Sequence, residues 1–408
     1  MNVLLLGNGF DLYYHLPTKY QNFLHTVDYL IQHYSEEIKS VGDVFSAAEL
    51  QEKDAFISEC YNIHKDIYDN TALNQNDILE LIEHTKDNMW FQYLLKSFDK
   101  DVGWIDFERE ISTVISVFKE FLDNLGTIFG AESLDKSRIT RYIVRCFNFF
   151  YEVSDPMVSA YGRIPSAQFS IIPEFKTEYP FGSKIEVPDT EKIIKHLSLA
   201  LESLTKALKM YLGCFVENIL GSTNITDYLE KQEVFLHNDY VVTLNYTNTF
   251  ETIYSANDVF HLHGNVQDDI VLGINSDACD ELENTDTSFI TFKKYYHRIM
   301  LETDKRYLQW ITDEICDGRI DIHLLVMGHS LDVTDADIIT DLFGLASEIT
   351  ILYHSNEAKA SHIANLVKIF GKSGLDKLRE EQQLTFLPLD MDLTEFAERR
   401  TRNRYIFI

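Results

Sequence analysis

The stretch Val3-Leu4-Leu5-Leu6-Gly7-Asn8-Gly9-Phe10-Asp11-Leu12 decides the fold. Its first four residues form an apolar run without polar alternation, which is typical of a strand buried on both faces of a parallel sheet. Gly7 and Gly9 then permit a tight turn and the close approach of a ligand. Apolar residues at helical spacing follow between Tyr20 and Tyr34. Strand, glycine turn and helix is the arrangement that points backbone N–H groups and a helix dipole at a phosphate.

This turn is an incomplete dinucleotide-binding fingerprint. Leu12 occupies the third glycine position of G-x-G-x-x-G. Asp28, the nearest acidic candidate for a ribose, lies inside the helical pattern rather than at the end of a strand. On this stretch alone, a tight turn without a ligand is as good an interpretation as a nucleotide site.

Length, composition and charge narrow the class of protein. The 408 residues are 45% hydrophobic and 13% aromatic, which suits one large elaborated domain or two domains. The formal net charge of −29 argues against broad binding to a nucleic-acid backbone, which requires Lys and Arg. No signal peptide opens the chain, and no apolar run approaches the roughly 20 residues that span a bilayer. We therefore expect no membrane association and a cytoplasmic location.

The five cysteines are scattered and form no C-x-x-C pair. Reduced thiols in a cytoplasm fit this usage, and the sequence offers no zinc ribbon. We therefore expect no metal.

Strand-like runs are confined to the two ends of the chain. Alternating strands and helices in the second half predict βαβ units and a largely parallel sheet. The predicted strands of that half are residues 240–244, 259–262, 269–273, 320–327, 349–353 and 384–387, and the predicted helices between them are residues 291–316, 335–346 and 356–370. We predict an α/β fold in which residues 1–25 and 232–408 form a Rossmann-like parallel sheet, with residues 26–231 as a large helical insertion.

The predicted insertion contains two clear amphipathic helices and one irregular region. One helix begins near Phe107 and extends to about residue 128, and the other spans residues 190–220. Asp106 is suited to cap the first helix, and the charge of Glu108 in its first turn favours the helix dipole. The alternative is that both carboxylates face a ligand cleft. Residues 151–189 hold five of the seven prolines, which predicts a loop excursion.

Polar residues collect where the predicted strands end, in residues 243–249, 261–265 and 328–335. An open α/β sheet places its ligand crevice at this edge. Each segment alone also has a structural explanation, as a turn or a helix cap. Together with the opening turn, the three segments favour a nucleotide site.

Two more specific interpretations of these segments fail on spacing. His261 and His263 lie on one face of a predicted strand, but no acidic third ligand accompanies them at a spacing typical of zinc sites. Ser330 is placed like the nucleophile of G-x-S-x-G, but Asp332 stands where that motif needs glycine.

The segment from Gly7 to Tyr20 resembles the signature of the bacteriophage abortive-infection AbiH family. The resemblance continues in order through residues 104–108, 245–249, 261–264 and 328–331. It therefore spans nearly the whole chain, and it implies an anti-phage protein.

A more distant resemblance to sirtuins concerns the chemistry. The sirtuin pattern G-A-G-x-S-x-x-x-G-I-P aligns without gaps on residues 7–17, Q-N-I-D on 244–247, the catalytic H-G on 263–264 and G-T-S-L-x-V on 328–333. This resemblance implies an NAD site with Asn245 and His263 as the catalytic residues at the reacting ribose. It implies that NAD is bound by the residues of two glycine turns: Gly7, Asn8, Gly9, Phe10, Asp11, Gly328 and Ser330.

Departures from the sirtuin pattern restrict the reaction. Asn8 and Asp11 replace Ala and Ser, and Thr247 replaces the aspartate. The four-cysteine zinc ribbon has no counterpart, which argues against protein deacylation, and sirtuin-like defence domains that hydrolyse NAD also lack it.

The sequence thus predicts an anti-phage protein that cleaves the nicotinamide–ribose bond of NAD, with His263 as the base at an ordinary pKa near ~6.5 and Asn245 orienting the water. The main alternative is a nucleotide-sensing or partner-binding module without chemistry. A nuclease is a third interpretation, disfavoured by the acidic charge and the missing metal-carboxylate cluster. A phage trigger, a partner protein and an oligomer are all compatible with the sequence.

Overall fold

The computed structural model describes residues 1–98, 107–123, 151–153, 169–171, 176–178, 186–221, 231–256, 258–274, 287, 289–303, 307–309, 312 and 321–405. The chain forms two compact units. The first comprises Met1–Lys86, Thr205–Asn275 and Lys294–Ile408, and the second comprises Asp87–Leu204 and Ser276–Lys293. The insertion at residues 26–231 stays a prediction, since part of it belongs to each unit.

The first unit contains a six-stranded sheet in which every strand pair is parallel. Its strands along the chain are β1 (Asn2–Leu6), β2 (Tyr240–Thr243), β3 (Val259–His261), β4 (His323–Met327), β5 (Glu348–Tyr353) and β6 (Leu384–Pro388). In space the order is β6-β5-β4-β1-β2-β3. This is the doubly wound Rossmann order, read from the β6 edge. The predicted α/β, Rossmann-like parallel sheet is confirmed.

The strand β1 lies at the centre of the sheet. Leu4 pairs with Val241 of β2 on one side and with Leu325 of β4 on the other. Val3–Leu6 are at most 1% exposed. An apolar run without alternation is therefore the correct signal, because both faces of this strand are covered.

Both units contain helices. The described helices are Gly9–Tyr13, Tyr20–His33, Val41–Phe45, Ala48–Lys53, Ala55–Asn70, Gln75–Thr85, Met89–Phe98, Phe107–Asp123, Thr190–Leu212, Asn218–Leu220, Thr249–Tyr254, Lys294–Met300, Ala336–Leu345, Asn356–Glu380 and Thr394–Tyr405. A π-helix spans Gly213–Glu217, and 3-10 turns span Glu233–Phe235, Ile290–Phe292 and Val333–Asp335. No helix in the described part of the chain is long and apolar enough to cross a bilayer.

One predicted strand and one predicted helix differ from the structure. The predicted strand at residues 269–273 is wrong: Ile270 makes one isolated bridge to Gly264, and the amide of Val271 donates to the carbonyl of His263. These apolar residues are buried as a loop folded back on β3, so their hydrophobicity does not reflect a strand. The last long helix continues past residue 370 to Glu380, interrupted at Gly371, where φ is +70°.

The second unit is mainly helical in its described parts. Trp90 is fully buried, and its indole N–H donates to the carbonyl of Leu197 at 2.9 Å. Glu108 is 8% exposed in the first turn of its helix, whereas Asp106 lies outside the described residues. For the proline-rich region the sequence predicts a loop excursion. Its described residues instead include two antiparallel strand pairs: Tyr151–Val153 with Phe169–Ile171, and Lys176–Glu178 with Glu186–Pro188.

Candidate functional site

Four loops leave the carboxyl ends of four neighbouring strands. Because β4, β1, β2 and β3 are adjacent and parallel, the segments after them emerge at one edge of the sheet. Gly9, Asn245, His263 and Ser330 each belong to one of these segments. The strand order reverses between β1 and β4, which is where open α/β sheets bind their ligands.

The glycine turns after β1 and β4 pack directly against each other. The amide of Gly9 donates to the carbonyl of Gly328 at 2.8 Å, and the amide of Gly7 donates to Met327 at 3.1 Å. A Cβ on Gly9 would lie 2.7 Å from the Cα of Gly328. Gly328 has a φ of +71°, and a Cβ there would collide with the amide of Phe10. Close backbone packing therefore explains these glycines, and their contact with a pyrophosphate stays a prediction.

Asn8 and Phe10 have defined structural roles in the same turn. The hydroxyl of Thr18 donates to Oδ1 of Asn8 at 2.6 Å, on the exposed side of the turn. The ring of Phe10 is fully buried, with its centroid 5.3 Å from that of Tyr14 and 5.8 Å from that of Phe235. Direct contact of Asn8 or Phe10 with NAD stays a prediction.

Asp11 is a buried carboxyl group that joins the β1 turn to the β2 loop. The hydroxyl of Thr247 donates to its Oδ2 at 2.6 Å, and the hydroxyl of Thr249 donates to the hydroxyl of Thr247 at 3.1 Å. Oδ1 of Asp11 has no hydrogen-bond partner among the described residues. Burial raises the pKa of Asp11 to about 7; hydrogen bonds from the two threonines oppose this, and the carboxylate of Glu217 adds to it. Asp11 thus titrates near neutral pH.

The loop after β2 is held in place by hydrogen bonds. The amide of Asn245 donates to the hydroxyl of Thr243 at 3.1 Å, and its carbonyl lies 3.0 Å from Nδ1 of His261. The amide of Asn248 donates to Glu217 at 2.5 Å. The side-chain oxygen of Asn245 is buried and has no partner in the described parts of the chain. The rigid loop therefore presents one buried acceptor that lacks a donor.

His261 is occupied within the protein. Its Nδ1 lies 3.0 Å from the carbonyl of Asn245, and its Nε2 lies 2.6 Å from Glu251. Burial lowers its pKa, but Glu251 outweighs burial and holds that pKa above the ordinary value. His261 is thus a positioning group for Asn245. Across the described ranges, no three His, Cys, Asp or Glu side chains are grouped so that they could hold a metal ion.

Asp335 is the centre of a second buried cluster at this edge. Lys294 Nζ lies 2.9 Å and His263 Nε2 lies 3.5 Å from its Oδ1, and His329 Nε2 lies 3.4 Å from its Oδ2. Burial raises the pKa of Asp335, but the charge of Lys294 and the two histidines hold it well below the usual range. Asp335 is therefore ionised and joins the loops after β3 and β4.

This cluster changes the protonation of His263. The side chain is 4% exposed, and burial together with the charge of Lys294 lowers its pKa to about 4, although Asp335 opposes the shift. The pKa therefore differs from the ordinary value assumed for a catalytic base. At neutral pH the imidazole is uncharged and weakly basic.

Ser330 lies at the same edge but is exposed. Its carbonyl accepts a hydrogen bond from the side-chain amide of Asn365 at 3.1 Å. Its neighbour His329 is buried and contacts Asp335. Ligand binding by Ser330 stays a prediction.

The sequence pattern does not indicate Lys294 or the role of Asp335. Lys294 stands beside Lys293 within a predicted helix, and nothing in the local pattern indicates that it is buried. Asp335 reads as the start of a helix. The one available signal is that Asp335 belongs to a polar segment at a strand end.

Comparison with known proteins identifies one family. A family model described as bacteriophage abortive infection AbiH matches residues 3–354. Neither the curated proteins nor the solved structures contain a match to the chain.

Proposed function

The chain belongs to the bacteriophage abortive infection AbiH family, which implies a role in defence against phage, and on this premise we propose that it cleaves the nicotinamide–ribose bond of NAD. The side-chain oxygen of Asn245, which has no partner among the residues that the structure describes, carries the proposal. It lies in a rigid loop beside the reversal of strand order. The sirtuin resemblance assigns the reacting ribose to the same residue.

The site's residues suit a reaction that needs little acid catalysis. Cleavage develops oxocarbenium character at the ribose, and nicotinamide leaves as a neutral molecule. The oxygen of Asn245 accepts a hydrogen bond from the water or from a ribose hydroxyl. The neutral imidazole of His263 is suited to hydrogen bonding with the ribose, and Ser330 and the two glycine turns to contacts with the rest of NAD. Such a substrate fits a cytoplasmic protein.

The test incubates the purified full chain with NAD and measures the released nicotinamide by chromatography. Asn245→Ala should lower this release by ~10²–10³-fold while the melting temperature stays close to that of wild type. Asn70→Ala, at an exposed asparagine that ends the helix Ala55–Asn70, is the matched control and should retain full release. Equal activity of the two variants would contradict the assignment of Asn245.

A nucleotide-sensing or partner-binding module is the second candidate. The low pKa of His263 favours it, because a weakly basic imidazole contributes little to proton transfer. This candidate predicts saturable NAD binding by calorimetry without nicotinamide release, also when phage lysate is added as a source of trigger. The calorimetric measurement therefore separates the two functions.

A further inference from the structure

We propose that Asp11, rather than His263, accepts the proton of the attacking water. This inference rests on the proposed cleavage of NAD. It assigns a catalytic role to a side chain expected only to contact the cofactor.

The placement of two buried acceptors supports this role. Thr247 fixes Oδ2 of Asp11 at 2.6 Å, which leaves Oδ1 without a partner among the described residues. The side chain of Asn245 lies beside Asp11, and its Oδ1 is also unpartnered within the same described ranges. A buried acceptor without a donor costs about 1–3 kcal/mol. One water molecule has two O–H donors, so a water between the two oxygens satisfies both.

The surroundings of the two candidate bases also favour Asp11. Asp11 has a pKa of about 7 because it is buried and faces the carboxylate of Glu217, while its other polar neighbours, Thr247, Thr249 and Asn245, are uncharged. A base with a pKa near the working pH both accepts and releases a proton. His263 has a pKa of about 4 and faces the cation of Lys294, so protonation of its ring is unfavourable.

The proposed step balances without a further reactant. The water oxygen forms a bond to C1′ of the ribose as the bond between C1′ and the nicotinamide nitrogen breaks. The electron pair of that bond leaves with nicotinamide, which becomes neutral. One water proton moves to Oδ1 of Asp11 and then to solvent. The products are ADP-ribose, nicotinamide and one proton.

Asp11→Asn separates this role from a structural one. The amide oxygen of asparagine can still accept the hydrogen bond from Thr247, but the side chain cannot take up a proton. We expect nicotinamide release to fall by ~10²–10⁴-fold. The variant should remain folded, and its affinity for ADP-ribose should stay close to that of wild type. A purely structural Asp11 predicts wild-type release from this variant, and that result would overturn the inference.

The pH profile supplies a second readout. Wild-type release should rise with pH around a midpoint near 7, set by Asp11. His263→Gln should keep that midpoint, whatever its rate. Glu217→Gln removes a negative charge that faces Asp11 and should lower the midpoint, which decides the question if Asp11→Asn does not fold. An unchanged midpoint in Glu217→Gln, or its loss in His263→Gln, would overturn the inference.

The proposed function and this inference can fail separately. If wild type releases no nicotinamide at any pH, both are overturned. If wild type releases nicotinamide and folded Asp11→Asn does so equally, only the role of Asp11 is overturned.

Discussion

The ammonium nitrogen of Lys294 lies 2.9 Å from Oδ1 of Asp335, and the lysine side chain is 1% exposed. His263 approaches the same oxygen at 3.5 Å. Burial and this nearby cation together lower the pKa of His263, so the imidazole stays neutral although its partner is a carboxylate. The protonation of a predicted catalytic residue thus depends on its burial and on a lysine distant in sequence.

Replacing Lys294 by Met should raise the pKa of His263 above its present value of about 4, because the nearby cation is removed. The measurement is an NMR titration of the histidine ring protons. Removal of one partner from a buried ion pair should also cost about 3–5 kcal/mol of stability. Lys372→Met, at an exposed position, is the control. An unchanged His263 titration would show that Lys294 does not determine its charge.

Asp11→Asn should become more stable relative to wild type as pH rises from 4 to 8. The folded-state pKa of Asp11, about 7, is above the ordinary 3.8, so the folded protein binds more protons between these values and loses stability as pH rises through them. Asparagine stays neutral throughout. The difference should grow by an amount on the order of 4 kcal/mol, measured by urea unfolding at several pH values. A pH-independent difference would indicate that Asp11 does not titrate in this window.

Gly328→Ala should destabilise the sheet domain severely, because φ is +71° and the new methyl group would collide with the backbone of Phe10. The left-handed conformation alone costs about 1–2 kcal/mol, and the collision adds to this. The matched control is Gly344→Ala, where no atom lies within 4 Å of the added Cβ. That helical substitution should instead stabilise by up to about 1 kcal/mol. Thermal unfolding compares them, and similar melting temperatures would argue against the tight packing of the two turns.

Asp54→Ala should lower stability by about 3–5 kcal/mol. Asp54 is 1% exposed. It caps the helix Ala55–Asn70 through the amides of Phe56 and Ile57, and its other oxygen contacts Asn22 and His25. Removing it loses a cap and leaves buried donors unsatisfied.

The control for this variant is Asn74→Ala, an exposed cap that should cost about 1 kcal/mol in urea unfolding. Burial raises the pKa of Asp54, but hydrogen bonds with His25 and Asn22 outweigh burial and lower it. Its contribution is thus complete above the ordinary pKa of 3.8 and is lost as pH falls through the lower folded-state value. Equal losses in Asp54→Ala and Asn74→Ala would contradict the buried network.

The sheet could be predicted from sequence because each of its strands is a short apolar run, and β1 is the clearest case. The edge that holds Asn245 and His263 could be predicted because parallel strands place their carboxyl ends together. The protonation states could not. They depend on Lys294 beside Asp335 and on Glu217 beside Asp11, pairs that are distant in sequence and show no periodic signal. The strand predicted at residues 269–273 is wrong because local hydrophobicity indicates that residues are buried and does not indicate their backbone conformation.

The central position of β1 has a consequence for biosynthesis. Leu4 is synthesised 321 residues before Leu325, one of its two partners in the sheet. Pairings between such distant segments form late and slowly. The turn at Gly9 can meet Gly328 only then, so a nascent or truncated chain cannot assemble the edge that carries the proposed activity. The proposed site is therefore completed only after β4 has been synthesised, late in the growth of the chain.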